Sequence, residues 1–273
     1  MKNIFFLLIS MFFVVSCNKN EFDINNLNGN KVSAIGHGGM GIGHSYPMNS
    51  FEGILNSLSI GADGVEIDIQ MTKDGILVAF HDGKLEESTN RSGKIYDKTW
   101  AEIEGARFSY PHYGNHKIIR LNDIFQNIPD REKYTYFLDI KSFKPNKDSL
   151  YFETLNNAII DIIDRYELVE QVYVEFKNEK SISELKLIRP DIKQFVYNDF
   201  DYALSLAEQY NLQGITIAID KLTHEKVKLA HSKNIMVATF NTHSHQRNID
   251  AVKYNVDYNH TDRLKHLLKI LKD

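Results

Sequence analysis

The chain is poor in the features that tie small or extended proteins together. One cysteine occurs among 273 residues, so no disulfide can form within the chain. Five prolines and no low-complexity stretch leave no obvious interdomain linker, which favours a single domain. Positive charge is not clustered either. With 32 basic against 36 acidic residues the formal charge is −4, and no basic run or aromatic-flanked basic patch appears, so nucleic acid is not expected as a partner. Long apolar runs are confined to the start, where Ile4 to Val15 is too short to read as a membrane span.

That short leader ends at Ser16-Cys17. A small residue before a lone cysteine, directly after an apolar core, resembles the lipobox of bacterial lipoproteins. The resemblance implies a signal peptide over residues 1–16, acylation of Cys17 and a lipid anchor in the bacterial cell envelope, facing the periplasm or the cell surface. The alternative is a buried unpaired thiol. Residues 17–30 are polar and read as a tether, which leaves residues 31–273 as the globular part. A core of that size needs neither disulfide nor metal to fold, so a metal would serve function.

Short apolar strands alternate with amphipathic helices, the pattern of a parallel α/β fold. Eight strands are expected near Val32–His37, Val65–Ile69, Tyr134–Lys141, Val172–Phe176, Gln194–Tyr197, Ile215–Ile219, Met236–Phe240 and Val256–Thr261. Eight closes a (β/α)8 TIM barrel. Helices are expected at Phe51–Ile60, Leu150–Arg165, Ser181–Ile188, Tyr202–Tyr210, His224–Ser232 and His245–Tyr254. The apolar run Ile76–Phe80 falls outside the alternation. It belongs with an insertion over about residues 70–118, after the second barrel strand and capped by a helix at Leu121–Gln126.

The stretch from Gly64 to Asp82 carries the most chemistry. Val65, Ile67 and Ile69 alternate with Glu66 and Asp68, so the two acids share one strand face while the aliphatics bury the other. Lys73-Asp74-Gly75 is turn chemistry, and the returning apolar run delivers His81 back toward the carboxylates. His37, Asp139, Lys141 and Glu175 also fall near strand ends, where a barrel places its working residues.

This segment resembles the glycerophosphodiester phosphodiesterases. Their Glu-x-Asp metal pair, Thr-Lys-Asp-Gly turn and His-Asp dipeptide occur here in order as Glu66 and Asp68, Thr72 to Gly75, and His81-Asp82. His37 stands for a second catalytic histidine, Phe137 to Lys141 is similar to the family's Ile-Glu-Ile-Lys strand, and Asn259 to Arg263 to its closing Thr-Asp segment. The resemblance covers nearly the whole chain after the leader. It implies a divalent metal, Mg²⁺ or Ca²⁺, on Glu66, Asp68 and Asp139, with His37 and His81 as base and acid. A small glycerophosphodiester is the implied substrate. Asp139 replaces the family's third glutamate and is one methylene shorter.

Each assignment has an alternative. Glu66 and Asp68 could pair with Lys141, which is either a counter-ion or a phosphate contact. Glu175 faces inward, to touch the metal or substrate or to pair with Lys141. His37 and His81 could be ordinary strand-end residues. His44, His224, His231, His243 and His245 carry no ligand spacing on a shared face with carboxylates, and most of them read as solvated.

Three departures alter the recognition surface. Gly38 stands for the arginine of His-Arg-Gly, Met48 for the glutamate of Pro-Glu-Asn-Thr, and Ala238 for the tryptophan of a substrate-lining Trp-Thr-Val-Asn segment. The glycine-rich loop 36–43 could compensate by turning backbone N–H groups toward an anion. The expected activity is metal-dependent hydrolysis of glycerophosphodiesters to glycerol phosphate and an alcohol. The rivals are a phospholipase-D-like or cyclising lyase on lipid headgroups, and a non-catalytic phosphodiester-binding module.

Overall fold

The computed structural model describes residues 22–42, 46–109, 115–145 and 149–272. Its strands are β1 (Ser33–Gly36), β2 (Gly64–Met71), β3 (Leu77–Ala79), β4 (Ile119–Arg120), β5 (Thr135–Ile140), β6 (Val172–Phe176), β7 (Lys193–Tyr197), β8 (Gly214–Ala218), β9 (Met236–Thr242) and β10 (Tyr258–Thr261). All but β3 and β4 pair in parallel, in the order β1-β10-β9-β8-β7-β6-β5-β2. Because β2 pairs back to β1, through Ile35 with Gly64 and Gly36 with Val65, the sheet closes into a (β/α)8 barrel.

The expected barrel strands and helices all lie within two residues of those observed, because each is bounded by clear punctuation. Ser50, Asn178, Thr223 and Ser244 cap their helices by accepting a backbone N–H from the first turn. The helix Leu264–Lys272 was not expected. It buries Leu264 and Leu267 and packs across the start of the barrel.

Two hydrophobic layers follow from strand alternation. Outward-facing Val65, Ile67 and Ile69 join the large core beneath the helices. Inside the barrel, Phe137, Tyr173, Phe195 and Tyr258 form an aromatic plug, with Phe137 ring centroids 4.9, 5.1 and 5.0 Å from the other three. Ala238 is buried with this plug.

The insertion forms as expected. β3 runs antiparallel to β2 and β4 antiparallel to β3, over a small core of its own built on Val78, Phe80, Leu85, Ile95 and Phe108.

Residues 22–30, expected within the tether, dock on the barrel instead. Phe22 and Ile24 pack against the large core. The asparagines that make this stretch polar are hydrogen-bonded: Asn26 Nδ2 donates to the Val256 carbonyl at 2.9 Å, and the Asn28 backbone N–H to Asp257 Oδ1 at 2.9 Å. Polarity alone could not separate a solvated tether from a satisfied docking segment. Both partners precede β10, so the segment lies at the end where strands begin. Cys17 and the leader lie outside the described residues.

Candidate active site

The opposite end of the barrel, where strands finish, holds a cavity lined by His37, Glu66, His81, Asp139, Lys141 and Glu175 among others. Six of the seven charged or titratable positions singled out in the sequence therefore converge on it. Asp68 is buried beside them and completes a cluster in which Glu66, Asp68 and Asp139 each offer an oxygen within 4.8 Å of the others. The register explains it: Asp68 pairs with Asp139 across β2 and β5, and Asp139 with Glu175 across β5 and β6.

Each group is held by a specific partner. Gly38 N–H donates to Glu66 Oε2 at 2.9 Å. Asn49, in the left-handed region at φ 64°, holds Asp68 twice: its Nδ2 donates to Oδ2 at 2.7 Å and its Oδ1 accepts the Asp68 N–H at 2.9 Å. Lys141 Nζ lies 3.0 Å from Asp68 Oδ1 and also pairs with Asp139. Glu175 is not its partner; Glu175 Oε2 accepts from Thr216 Oγ1 at 2.6 Å.

His37 follows β1, and its Nδ1 lies 2.8 Å from Asp262 Oδ1, so the ring donates and Nε2 is left 3.9 Å from Glu66 Oε2. His81 is returned to the cavity by the β2–β3 hairpin. Gln70 Nε2 brackets it, donating to the carbonyls of Phe80 at 2.9 Å and Asp82 at 2.8 Å. Asp82 Oδ1 accepts from His81 Nδ1 at 3.0 Å.

The electrostatics are those of excess buried negative charge. Burial, then Asp68, pushes Glu66 well above the usual carboxylate range. Asp139 is also raised by burial, against the pull of Lys141. For Asp68 the balance reverses, and the Lys141 charge holds it down despite burial. Burial raises Glu175 to about 8. Burial alone would lower His37, but its bond to Asp262 and the Glu66 charge win and carry it to about 9. His81 is raised chiefly by its bond to Asp82.

A hard divalent cation fits this cluster. The donors are all carboxylate oxygens, they carry more negative charge than Lys141 balances, and buried Asp68 Oδ1 has no hydrogen bond despite its lysine neighbour.

Several residues of this site were not singled out in the sequence. Asp262 anchors His37, accepts the Ile42 N–H at 3.0 Å, and binds His243 Nδ1 through its second oxygen. His243 is thus at the cavity lip rather than simply solvated, and His231 is largely buried against Asp257. Exposed His224 and His245 fit the expectation, and His44 lies outside the described residues. Asp262 carried a signal, being the first residue after a barrel strand.

The glycine loop does not compensate as expected. N–H groups of Gly38, Gly39 and Ile42 are committed to Glu66, the Gly36 carbonyl and Asp262, so they brace the site instead of facing an anion. Two departures meet here: a Cβ on Gly38 would lie 2.8 Å from Met48 Cβ, so Gly38 and Met48 are packed as a pair. Gly41 is required by closeness, its absent Cβ falling 2.4 Å from Asp262 Cα.

A closed parallel barrel with acids and histidines at its strand-end mouth defines an enzyme of the TIM-barrel class. Residues 40–266 match the model of the glycerophosphoryl diester phosphodiesterase family, and the chain belongs to that family, a family of phosphoric diester hydrolases. A glycerophosphodiester phosphodiesterase of Bacillus altitudinis is 24% identical over 242 residues, covering 84% of this chain and 94% of that one. One from Caldanaerobacter subterraneus is 29% identical over 167 residues, which is 60% of this chain and 65% of the relative. Among solved structures, a glycerophosphoryl diester phosphodiesterase of Silicibacter pomeroyi superposes with a TM-score of 0.79 at 20% identity, covering 89% and 93% of the two chains. An Oleispira antarctica phosphodiesterase, solved with its product sn-glycerol-3-phosphate, gives 0.77 at 18% identity over 88% and 96%.

Proposed function

We propose that this protein hydrolyses glycerophosphodiesters to glycerol phosphate and an alcohol, with Glu66, Asp68 and Asp139 holding a divalent cation and His37 and His81 moving the protons. One observation carries the reading: a buried three-carboxylate cluster with an unsatisfied oxygen shares a cavity with two histidines whose Nδ1 atoms are tied to aspartates. Family membership and the curated relatives supply the substrate class. When bound, the cation would neutralise charge on a non-bridging phosphate oxygen.

The chain's own groups account for the proton transfers. Asp262 fixes the proton on His37 Nδ1, so Nε2 is the atom that takes a proton from the nucleophile, which is water or a neighbouring substrate hydroxyl. Part of the rise in His37 comes from Glu66 and Asp68, the groups assigned to the cation, so the ring is more basic in the chain alone than at a loaded site. His81, its imidazolium favoured by Asp82, protonates the leaving alkoxide, whose own acidity is far too weak to leave unaided. Lys141 contacts the phosphate from its place between Asp68 and Asp139. Glu175, neutral below about pH 8, can donate to a substrate oxygen.

The test is product identification with the purified protein and a glycerophosphodiester such as glycerophosphoethanolamine. Glycerol phosphate and free alcohol are expected. A cyclic phosphate would replace hydrolysis by the lyase reading, and binding without turnover would leave only the binding module.

The proposal extends to an anchor at Cys17 in the cell envelope. Acyl chains on Cys17 would do the holding; among the described residues no helix is long and apolar enough to cross a membrane. Residues 22–30 dock at the strand-start end, and the few residues between Cys17 and Phe22 reach at most roughly 17 Å. An anchor there holds the end opposite the cavity, which favours soluble substrates over lipids of the same bilayer. Detergent partitioning of wild type against Cys17→Ser tests it; equal partitioning, with no acyl mass on the mature protein, overturns it.

A further inference from the structure

We propose that His243 binds the phosphate group of the substrate through Nε2, an inference that rests on the phosphodiesterase reading. Near the end of β9, Asn241 takes a φ of 63°, and His243, the first residue after the strand, lies at the lip of the cavity. Its side chain is about half exposed, a setting in which a histidine ordinarily samples several rotamers. Here it is pinned at two points. Nδ1 binds buried Asp262, and the backbone carbonyl accepts from Arg263 Nε at 2.8 Å.

The geometry leaves one polar atom of the ring for a ligand. Asp262 only accepts, so Nδ1 donates to it, and Nε2 is the ring nitrogen left over on a residue that lines the cavity. A substrate phosphate needs donors there, because Glu66, Asp139 and Glu175 line the same cavity. No arginine occurs among the described lining residues, and Lys141 is already paired with two aspartates. A phosphate oxygen at His243 Nε2 would hold a proton on that nitrogen while the Asp262 carboxylate holds the one on Nδ1. Asp262 thereby sets two rings at once: His37 over the carboxylate cluster and His243 across from it. The arrangement offers the phosphate a ring nitrogen without adding a long side chain at Gly38, where Met48 fills the space.

Three substitutions separate binding from bracing. His243→Asn keeps a donor near the Nδ1 position and removes Nε2. His243→Gln places its amide nitrogen nearer Nε2, and His243→Ala removes both. The readouts are kcat and KM on a glycerophosphodiester, the Kd for glycerol 3-phosphate by calorimetry, and thermal melting. If Nε2 binds phosphate, Ala and Asn variants raise KM and Kd roughly ten- to hundredfold, the size of a hydrogen bond to a charged group, while kcat falls less and Gln recovers part of the loss. An Asn variant with wild-type KM and Kd overturns the inference and makes His243 a brace for Asp262. So does a loss confined to kcat. A wild-type protein that binds glycerol 3-phosphate through His243 but turns over no glycerophosphodiester would overturn the proposed activity alone, and one that does neither overturns both.

Discussion

β10 is flanked by two buried aspartates that look alike in sequence and are each bonded to histidine, yet serve opposite ends of the barrel. Asp257 precedes the strand and Asp262 follows it. At the strand-start end, fully buried Asp257 accepts from the Asn28 N–H at 2.9 Å, from His231 Nε2 at 2.8 Å and from the Val237 N–H at 2.7 Å. These contacts tie together the docked N-terminal segment, a helix and β9. At the strand-end face, Asp262 holds His37 and His243 beside a cavity that His260 also lines; His260 Nε2 makes no hydrogen bond, and neither does nearby Asp68 Oδ1, which has only the Lys141 charge at 3.0 Å. A satisfied buried carboxylate stabilises structure, whereas unsatisfied buried groups around a cavity mark where a ligand completes the network.

Paired substitutions at the two ends sharpen this contrast. The largest effect is expected for His37→Ala, which should lower kcat by roughly 10²–10⁴ with little change in melting temperature. His231→Ala should do the reverse, leaving kcat intact and lowering stability, because it removes one of the three donors that hold buried Asp257. Comparable loss of kcat in both, measured by steady-state kinetics beside thermal melts, would erase the distinction.

Next in size is the aspartate pair. Asp262→Asn should cost about one to two orders of magnitude in kcat, since an amide can present its N–H to His37 Nδ1 and favour the wrong tautomer. Asp257→Asn should instead lower stability by about 2 kcal/mol, two of its three donors being backbone N–H groups, with kcat unchanged. The converse assignment of losses would invert the account.

A smaller effect tests His81. With a nitrophenol leaving group, which needs little protonation, His81→Ala should lose at least tenfold less rate than with an alkyl alcohol. Equal losses on the two substrates would remove its acid role.

The smallest effect concerns His260, which lies over Phe137 with ring centroids 4.4 Å apart. Burial, then the His37 charge, lowers it from 6.5 to about 3. Between those values the unfolded chain takes up a proton that the folded chain refuses, so stability is complete above pH 6.5 and falls as pH drops toward 3. Replacing it by Asn should flatten the decline between pH 7 and 5 by about 2 kcal/mol in denaturant unfolding. An unchanged slope would place the titration elsewhere.

The barrel was legible because strand alternation and helix caps are local signals, and the Glu66–Asp68 pair because two acids on one face of an apolar strand need a partner. Less legible were groups whose role depends on what arrives from far along the chain. Asp262 and Asp257 are both aspartates at an end of β10; the closing Thr-Asp segment marks Asp262, but its partner His37, 225 residues away, shows only in the fold. The glycine loop misled for a related reason: its N–H groups are available in sequence and already committed in space. Residues 22–30 read as tether because asparagine is polar, yet its amides satisfy backbone acceptors of the barrel.

The central claim is that Glu66, Asp68 and Asp139 at the strand-end face hold a divalent cation on which turnover depends. It is tested by calorimetric titration of Mg²⁺ and Ca²⁺ into chelator-treated full-length protein, beside turnover of a glycerophosphodiester before and after the titration. The account predicts one bound cation, binding lost in Asp68→Asn, and activity abolished by chelation and restored in step with binding. Full activity after exhaustive chelation, or cation binding undiminished in Asp68→Asn, would contradict it.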